Sequence, residues 1–345
     1  MDRREFLRRA SLGVVLISVG AKLYSADRAL GQIIRPDHVQ SDLTRIVMAR
    51  HSGLMNDRWK IDGDLVRQVL DASIEELTDV QHAPDGWRSL FPGLRSTDVI
   101  GIKVNCINRR LSSHPEVVGA IVDGLKNAGV DENRILIWDR TSEELKQAGF
   151  EIHTGSTSVR CFGTDEIGYD GEERVTVEGK KIKLSGILTQ MCDHLINVPV
   201  LKDHSISGVT LSLKNHYGSI PLAKSLPWSL LTIKRMHTHR GDPQIAQLNA
   251  SPHIKEKTRL IVCDALLGIH SGGPGGSPQW AEKRLIVSTD PVAADHQGMM
   301  LIEQKRKDLR LSSIHRKARH IRTAAEMGLG TDNPEKMVVR TLEMG

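Results

Sequence analysis

Apolar and polar positions along the chain fall into blocks that read alternately as strands and helices. Residues 98–105 form a continuous apolar run that ends in Lys103 and Asn105, the pattern of a buried strand in a parallel sheet. Residues 113–129 carry apolar side chains at helical spacing, with Ser113 placed as an N-cap, Pro115 in the first turn and Gly129 as the stop. A second apolar run over 134–139 ends in Asp139, and a short helix is expected over 142–148. This order predicts an α/β fold with a mostly parallel, doubly wound sheet. Between 161 and 188 the pattern breaks into short pieces with turns at Asp170-Gly171 and Glu178-Gly179, so a small β-hairpin excursion is expected at about 157–188. Strands return over 194–201, 259–264 and 284–290, helices are expected over 291–304 and 318–328, and a last strand over 336–343. The α/β domain is taken as 95–345, preceded by a helical or extended segment over 32–94.

The first 31 residues have a different layout. Asp2-Arg3-Arg4-Glu5-Phe6-Leu7-Arg8 precedes a modest apolar run from Ala10 to Leu23, then small residues up to Ala29-Leu30-Gly31. Paired arginines followed by Phe-Leu resemble a twin-arginine export signal, and cleavage after Gly31 would leave Gln32 first. An uncleaved anchor is the competing reading, although the run is shorter than the ~20 apolar residues of a membrane span. The expected location is the periplasm, with the twin-arginine translocation machinery as a partner.

Composition narrows the chemistry. The 345 residues include 39% hydrophobic but only 3% aromatic side chains, so aromatic platforms for single-stranded nucleic acid are not expected. The net charge of +5 falls to about +2 without residues 1–31, which hold six Lys/Arg and three acids, so the charge gives no argument for nucleic acid. Cys106, Cys161, Cys192 and Cys263 are far apart and none lies in a Cys-x-x-Cys, so no iron–sulfur cluster or cysteine-rich zinc site is expected. Buried free thiols are the favoured reading, with disulfides left open.

Candidate chemistry gathers at strand ends and around histidines. Lys103, Asn105 and Asp139 sit where the strands of an open parallel sheet end and a ligand crevice forms. Of fifteen histidines, His194, His204, His216, His237, His239, His253, His270 and His296 fall within about a hundred residues. The densest constellation runs from 200 to 218 and carries Lys202, His204, Lys214, Asn215 and His216 around two chain reversals. Such residues suit a small carboxylate or phosphate, with a histidine for proton transfer or metal. Candidate catalytic residues are therefore His204, His216 and Lys202, and candidate ligand-binding residues are Lys103, Asn105, Lys214 and Asn215. His204, His216, Asp139 and Asp264 are the candidate metal ligands. His237 and His239 would share a face on a strand but point apart at the end of a helix. Gly272-Gly273-Pro274-Gly275-Gly276 lacks both the P-loop and the dinucleotide fingerprint, leaving a mobile lid or a close backbone approach. Asp264, Asp290 and Asp295 suit either metal ligands or helix caps, and Asp290 before Pro291 is the good N-cap candidate.

The motifs Ile102-Lys103-Val104-Asn105, Ser113-His114-Pro115, Trp138-Asp139, Asn197 to His204, Leu213-Lys214-Asn215-His216, Cys263-Asp264, Gly273-Pro274 and Thr289 to Asp295 resemble the prokaryotic family known as domain of unknown function 362, over about 95–335. Several members append a ferredoxin-like cysteine motif, which this chain lacks. More distantly the family is similar to the lactate racemase group, whose nickel-pincer nucleotide is held by a lysine and histidines. That resemblance implies a generic lysine–histidine site and, as cofactor, a divalent transition metal or a nickel-containing nucleotide. Two functions follow as expectations: a metal-assisted or acid/base enzyme acting on a small anionic ligand, or a periplasmic protein that binds an anionic solute or metal complex without turnover. An assembly protein is the third reading.

Overall fold

The computed structural model describes residues 43–221 and 229–345. The expected export signal therefore lies outside the described residues. The segment from Leu43 to Gly345 forms one compact unit. Its centre is a ten-stranded sheet in the order β12-β1-β11-β10-β7-β2-β3-β4, with β8 and β9 paired off this path. The strands are β1 (Thr44–His51), β2 (Ile100–Lys103), β3 (Ile135–Trp138), β4 (Arg160–Cys161), β7 (His194–Asn197), β8 (Val200–His204), β9 (Gly208–Val209), β10 (Thr258–Ile269), β11 (Trp280–Ser288) and β12 (Met337–Met344). β5 (Tyr169–Val177) and β6 (Lys180–Ser185) form a separate antiparallel hairpin, inside the expected excursion.

Most neighbouring pairs are parallel, as the alternating pattern predicts. Only β11, between β1 and β10, and the small β8–β9 pair run antiparallel to their neighbours. Strand period places successive side chains on opposite faces, and each face has its own core. Ile46, Met48, Leu136, Trp138 and Leu195 pack on one side with the Pro291–Asp308 helix. Val47, Ala49, Ile100, Ile102, Ile135 and Ile137 pack on the other, under the helices Gly63–Thr78 and Pro115–Asn127. Helices thus cover both faces, which is why the strands are apolar on both sides.

Two expectations need correction. β1 lies between β11 and β12, and the Gly63–Thr78 helix packs over it, so residues 44–94 belong to the same unit as the rest and a boundary at 95 is not present. Ser113 does not cap the helix that follows: its hydroxyl accepts from the Asn105 amide at 2.8 Å and donates to the Val198 carbonyl at 2.7 Å, stitching two strand ends together. His114 occupies the N-cap position. Asp290, by contrast, accepts from the amides of Val292 at 2.8 Å and Ala293 at 2.9 Å, the expected cap. All four cysteines are buried and free. Among the described residues no helix is long and apolar enough to cross a membrane.

Candidate active site

β2, β3 and β7 end at the same edge of the sheet, and their terminal polar residues meet there. Lys103, fully buried, donates from Nζ to Asp139 Oδ1 at 2.7 Å and to the Val104 carbonyl at 2.7 Å. Asp139 also accepts at Oδ2 from the Cys106 amide at 2.7 Å and at Oδ1 from the Arg140 amide at 2.8 Å. Lys202, on β8, donates to Asn105 Oδ1 at 2.6 Å and to the Leu111 carbonyl at 3.0 Å. Asn105 Nδ2 donates to Asn215 Oδ1 at 2.9 Å, and Asn215 Nδ2 donates to Asn197 Oδ1 at 2.7 Å. Two lysines, one aspartate and three amides thereby form one continuous buried network with its donors and acceptors paired. Burial pushes the Lys202 amine down to about 8.

The Leu211–Asn215 helix brings Lys214 and Asn215 to this network. It is short, and its first turn is held from outside. Asp295, on the Pro291–Asp308 helix, accepts from the Ser212 amide at 2.6 Å and the Leu213 amide at 3.0 Å. Asn249 Nδ2 donates to the Leu213 carbonyl at 2.7 Å. The two family motifs Leu213 to His216 and Thr289 to Asp295 are thus one structural device.

Above the network opens a cavity of about 470 Å³. Asn105, Asp139, Lys214 and Asn215 form its floor, with His204, Thr210, Tyr217, Gly218 and His237 around them and Ile107, Asn108, Arg140, Ile233, Pro274 and Gly275 at the remaining walls. Gly218 is required by this geometry: a Cβ there would stand 2.6 Å from Asp139 Oδ1 and 2.7 Å from Lys103 Nζ. The glycine loop is not a free lid. Asn108 Nδ2 donates to the carbonyls of Pro274 and Gly276, both at 2.8 Å, and the Gly273 amide donates to Asp203 Oδ1 at 2.7 Å. A Cβ at Gly273 would lie 2.1 Å from the Asp203 carbonyl oxygen, so the glycine serves close backbone approach.

Three side chains at the cavity carry reactive nitrogens. Lys214 is 6% exposed; its Nζ lies 3.3 Å from His237 Nε2 and 3.6 Å from the centre of the Tyr217 ring, and among the described residues no carboxylate pairs with it. Two effects oppose at this amine. The ring face favours an ammonium by about 0.5–2 kcal/mol, whereas removal from water disfavours it more strongly and holds the amine well below its ordinary value. His237 Nδ1 lies 2.8 Å from the Ile233 carbonyl, an acceptor only, so the ring proton sits on Nδ1 and Nε2 offers its lone pair to Lys214. His204 has the opposite tautomer. Its Nδ1 accepts from the amides of Ile206 at 3.1 Å and Ser207 at 3.2 Å, which places the proton on Nε2. The two imidazoles stack with centres 5.6 Å apart. Burial lowers His237 to about 4 and His204 to about 2, so both are neutral at pH 7.

Several sequence-derived candidates stand elsewhere. His216, a buried residue, turns away from the cavity toward Ser219 Oγ at 3.1 Å and Asn197 Nδ2 at 3.4 Å, and burial lowers it to about 3. Lys202 lies beneath the floor, behind Asn105. Asp264 is engaged by His114, whose amide and Nδ1 reach Oδ2 at 2.8 and 2.7 Å. The proposed metal set of His204, His216, Asp139 and Asp264 therefore does not assemble: Asp139 is held by Lys103 and two amides, and Asp264 by His114. Among the described residues no three His, Cys, Asp or Glu side chains are grouped so as to hold a metal ion. His237 joined the site although the sequence offered it only as half of a His-x-His; His239 is exposed and points elsewhere, as the end of a helix requires. Tyr217, Thr210 and Asn108 carried no local signal, because nothing in their neighbourhood distinguishes a wall residue from a core one.

No curated protein matches the chain. A solved structure of a Thermotoga maritima protein, a structural-genomics target, is similar at 14% identity with a TM-score of 0.40, over 71% of this chain and 59% of that one. The chain thus spans about three-fifths of that protein's length. A family model matches residues 100–300, the stretch that holds the lysine network, the cavity lysine and the capping aspartates, and the chain belongs to the family described as Domain of unknown function (DUF362).

Proposed function

We propose that the protein is an enzyme that admits a small carboxylate- or phosphate-bearing molecule to the cavity and moves protons on it with Lys214, His237 and His204. The observation that carries this reading is Lys214: a buried amine, without a carboxylate partner among the described residues, set 3.3 Å from a ring nitrogen whose lone pair is fixed toward it. A lysine kept for stability would donate its protons to acceptors beneath the floor, as Lys103 does to Asp139 and the Val104 carbonyl and Lys202 does to Asn105 and the Leu111 carbonyl. Even without Lys214, the cations Lys103, Lys202 and Arg140 outnumber the carboxylates of Asp139 and Glu144 around the cavity, which favours an anion there. In this reading His237 Nε2 accepts a proton, His204 Nε2–H donates a hydrogen bond to a ligand oxygen, and the Lys103–Asp139–Asn105–Asn215 network fixes the floor. Lys202 and His216, read from sequence as catalytic, are positioning residues behind that floor.

The other reading, a solute-binding protein closing two lobes, would call for two sheets and a hinge. One sheet within one compact unit favours the enzyme. We also propose export through the twin-arginine route, supported by Arg3-Arg4 and Phe6-Leu7 ahead of the apolar run. Residues 1–31 fused to a reporter should send it to the periplasm of a twin-arginine-competent host, and Arg3→Lys with Arg4→Lys should retain it in the cytoplasm; retention of the unaltered fusion would refute export.

The binding claim is tested by thermal unfolding of the purified protein with a panel of small mono- and dicarboxylates and phosphates. A ligand at 100 times its Kd stabilises by about 2.7 kcal/mol, a rise of roughly 2–4 °C for a chain of this size. The rise should vanish in Lys214→Met. If no anion moves the Tm, or if one does so equally in the variant, the cavity is not the site.

A further inference from the structure

Resting on the reading of the cavity as an anion site, we infer that Lys214 is a nucleophile that binds the carbonyl carbon of a small oxo acid covalently as an imine. Proton transfer alone could be served by the imidazole; the geometry adds a primary amine pressed against it. Here the amine is the buried group, and the imidazole is arranged around it. Ile233 fixes the His237 proton on Nδ1, leaving Nε2 directed at Nζ. The Tyr217 hydroxyl is turned away to the Met236 carbonyl, so the ring presents its face to the amine. That face and the apolar wall of Ile233 shield Nζ from water while leaving it at the cavity. The missing carboxylate works the same way: among the described residues no negative charge pairs with Lys214 to offset the cost of burying an ammonium. Desolvation supports this, since it keeps the amine well below its ordinary value.

The step balances without a redox partner. The Nζ lone pair adds to the carbonyl carbon and the C=O π electrons move to oxygen. His237 Nε2 takes one proton from the nitrogen and delivers it to the oxygen, held by His204 Nε2–H, to give a carbinolamine. His237 Nε2 then takes the second N–H proton and passes it to the same oxygen, which leaves as water as C=N forms and the C–O bond breaks. The net change is amine plus carbonyl to imine plus one water. An imine conjugated to the acid group is an electron sink, so the α or β carbon of the bound molecule becomes the place where a proton is removed or added.

The test uses the full-length purified protein with glyoxylate and, separately, pyruvate, each reduced in place with borohydride and followed by intact mass and peptide mapping. The expected result is one adduct per chain, its mass that of the substrate less the oxygen lost as water, on the peptide containing Lys214. Lys214→Arg, which keeps a long basic side chain but removes the primary amine, should lose it. Should that variant fail to fold, mapping of the wild-type adduct against exposed lysines such as Lys146 and Lys180 decides the same question. Either compound raising the Tm but leaving Lys214 unlabelled would overturn the imine and spare the anion site. Labelling spread over exposed lysines alone would also overturn it. Neither a Tm rise nor a label would overturn both the oxo-acid assignment and the anion reading beneath it.

Discussion

Lys103 and Asp139 show what a paired buried lysine looks like and set the standard against which Lys214 stands out. Each is at most 4% exposed, and they bond at 2.7 Å. Taking away one member leaves a charge stranded out of water, at a cost of about 3–5 kcal/mol. Asp139→Asn is therefore expected to lower the unfolding free energy by about that amount in urea titrations, and a loss below about 1 kcal/mol would mean the network is not closed. Gly218→Ala should behave like a milder version, since its Cβ would collide with both partners. The His114–Asp264 pair gives a different signature. Desolvation lowers His114, but the charge and hydrogen bond of Asp264 together outweigh it and raise the imidazole above its ordinary 6.5. A raised basic group stabilises fully below its unfolded value and loses that contribution as pH rises through the folded one. Stability should thus decline from about pH 6.5 upward, and His114→Asn should remove that slope. At this scale Lys103, Asn105, Asp139 and His204 were legible because each is a polar residue closing an apolar strand, and Lys214 and Asn215 because they stand in the dense lysine–histidine stretch of 200–218. His216 and Asp264 were misread because their partners, Asn197 and His114, lie in other segments.

Among elements, the Leu211–Asn215 helix is the one on which the site depends. It is too short to be stable alone, and its first amides are capped from the Pro291–Asp308 helix by Asp295 rather than from its own N-terminus. Asp295→Ala is expected to cost about 1–3 kcal/mol, the penalty for leaving buried amides unpaired, and to weaken anion binding more than Asp290→Ala, which removes a cap of ordinary size, about 0.5–2 kcal/mol. Comparing ligand-induced Tm shifts in the two variants checks this; equal shifts would remove Asp295 from the account. Elements with local signals were readable: the apolar runs, the hairpin turns and the proline-started helices. β1 was not. Its apolar stretch is short and flanked by charged residues, and its identity as a strand comes from pairing with β11 and β12, more than two hundred residues away. The antiparallel insertion of β11 in a mostly parallel sheet is equally non-local.

The molecule as a whole keeps several histidines neutral in its interior. Burial lowers His216 and His320 to about 3, His204 to about 2 and His237 to about 4. In the unfolded chain these groups take up protons near 6.5, so below that value the unfolded state binds more protons than the folded one and stability falls as pH falls. Each fully buried histidine contributes about 1.4 kcal/mol per pH unit once the pH is well under 6.5. The urea midpoint should drop steeply between pH 6 and pH 4.5 with little change in slope m, and a flat midpoint would show that these rings are solvated. No local signal marked His320, whose two ring nitrogens are buried without hydrogen-bond partners; the two cores that the strand pattern implied do not reveal which polar residues they enclose. The most direct test of the central claim is competitive labelling of amines with a trace of acetic anhydride across pH 6–10, read by peptide mapping. An uncharged amine facing an anion cavity predicts that Lys214 is labelled faster than exposed lysines near pH 7, that this advantage shrinks as the pH rises, and that a bound carboxylate protects Lys214 alone. Lys214 labelled no faster than exposed lysines near pH 7, or remaining unlabelled at every pH, would contradict it.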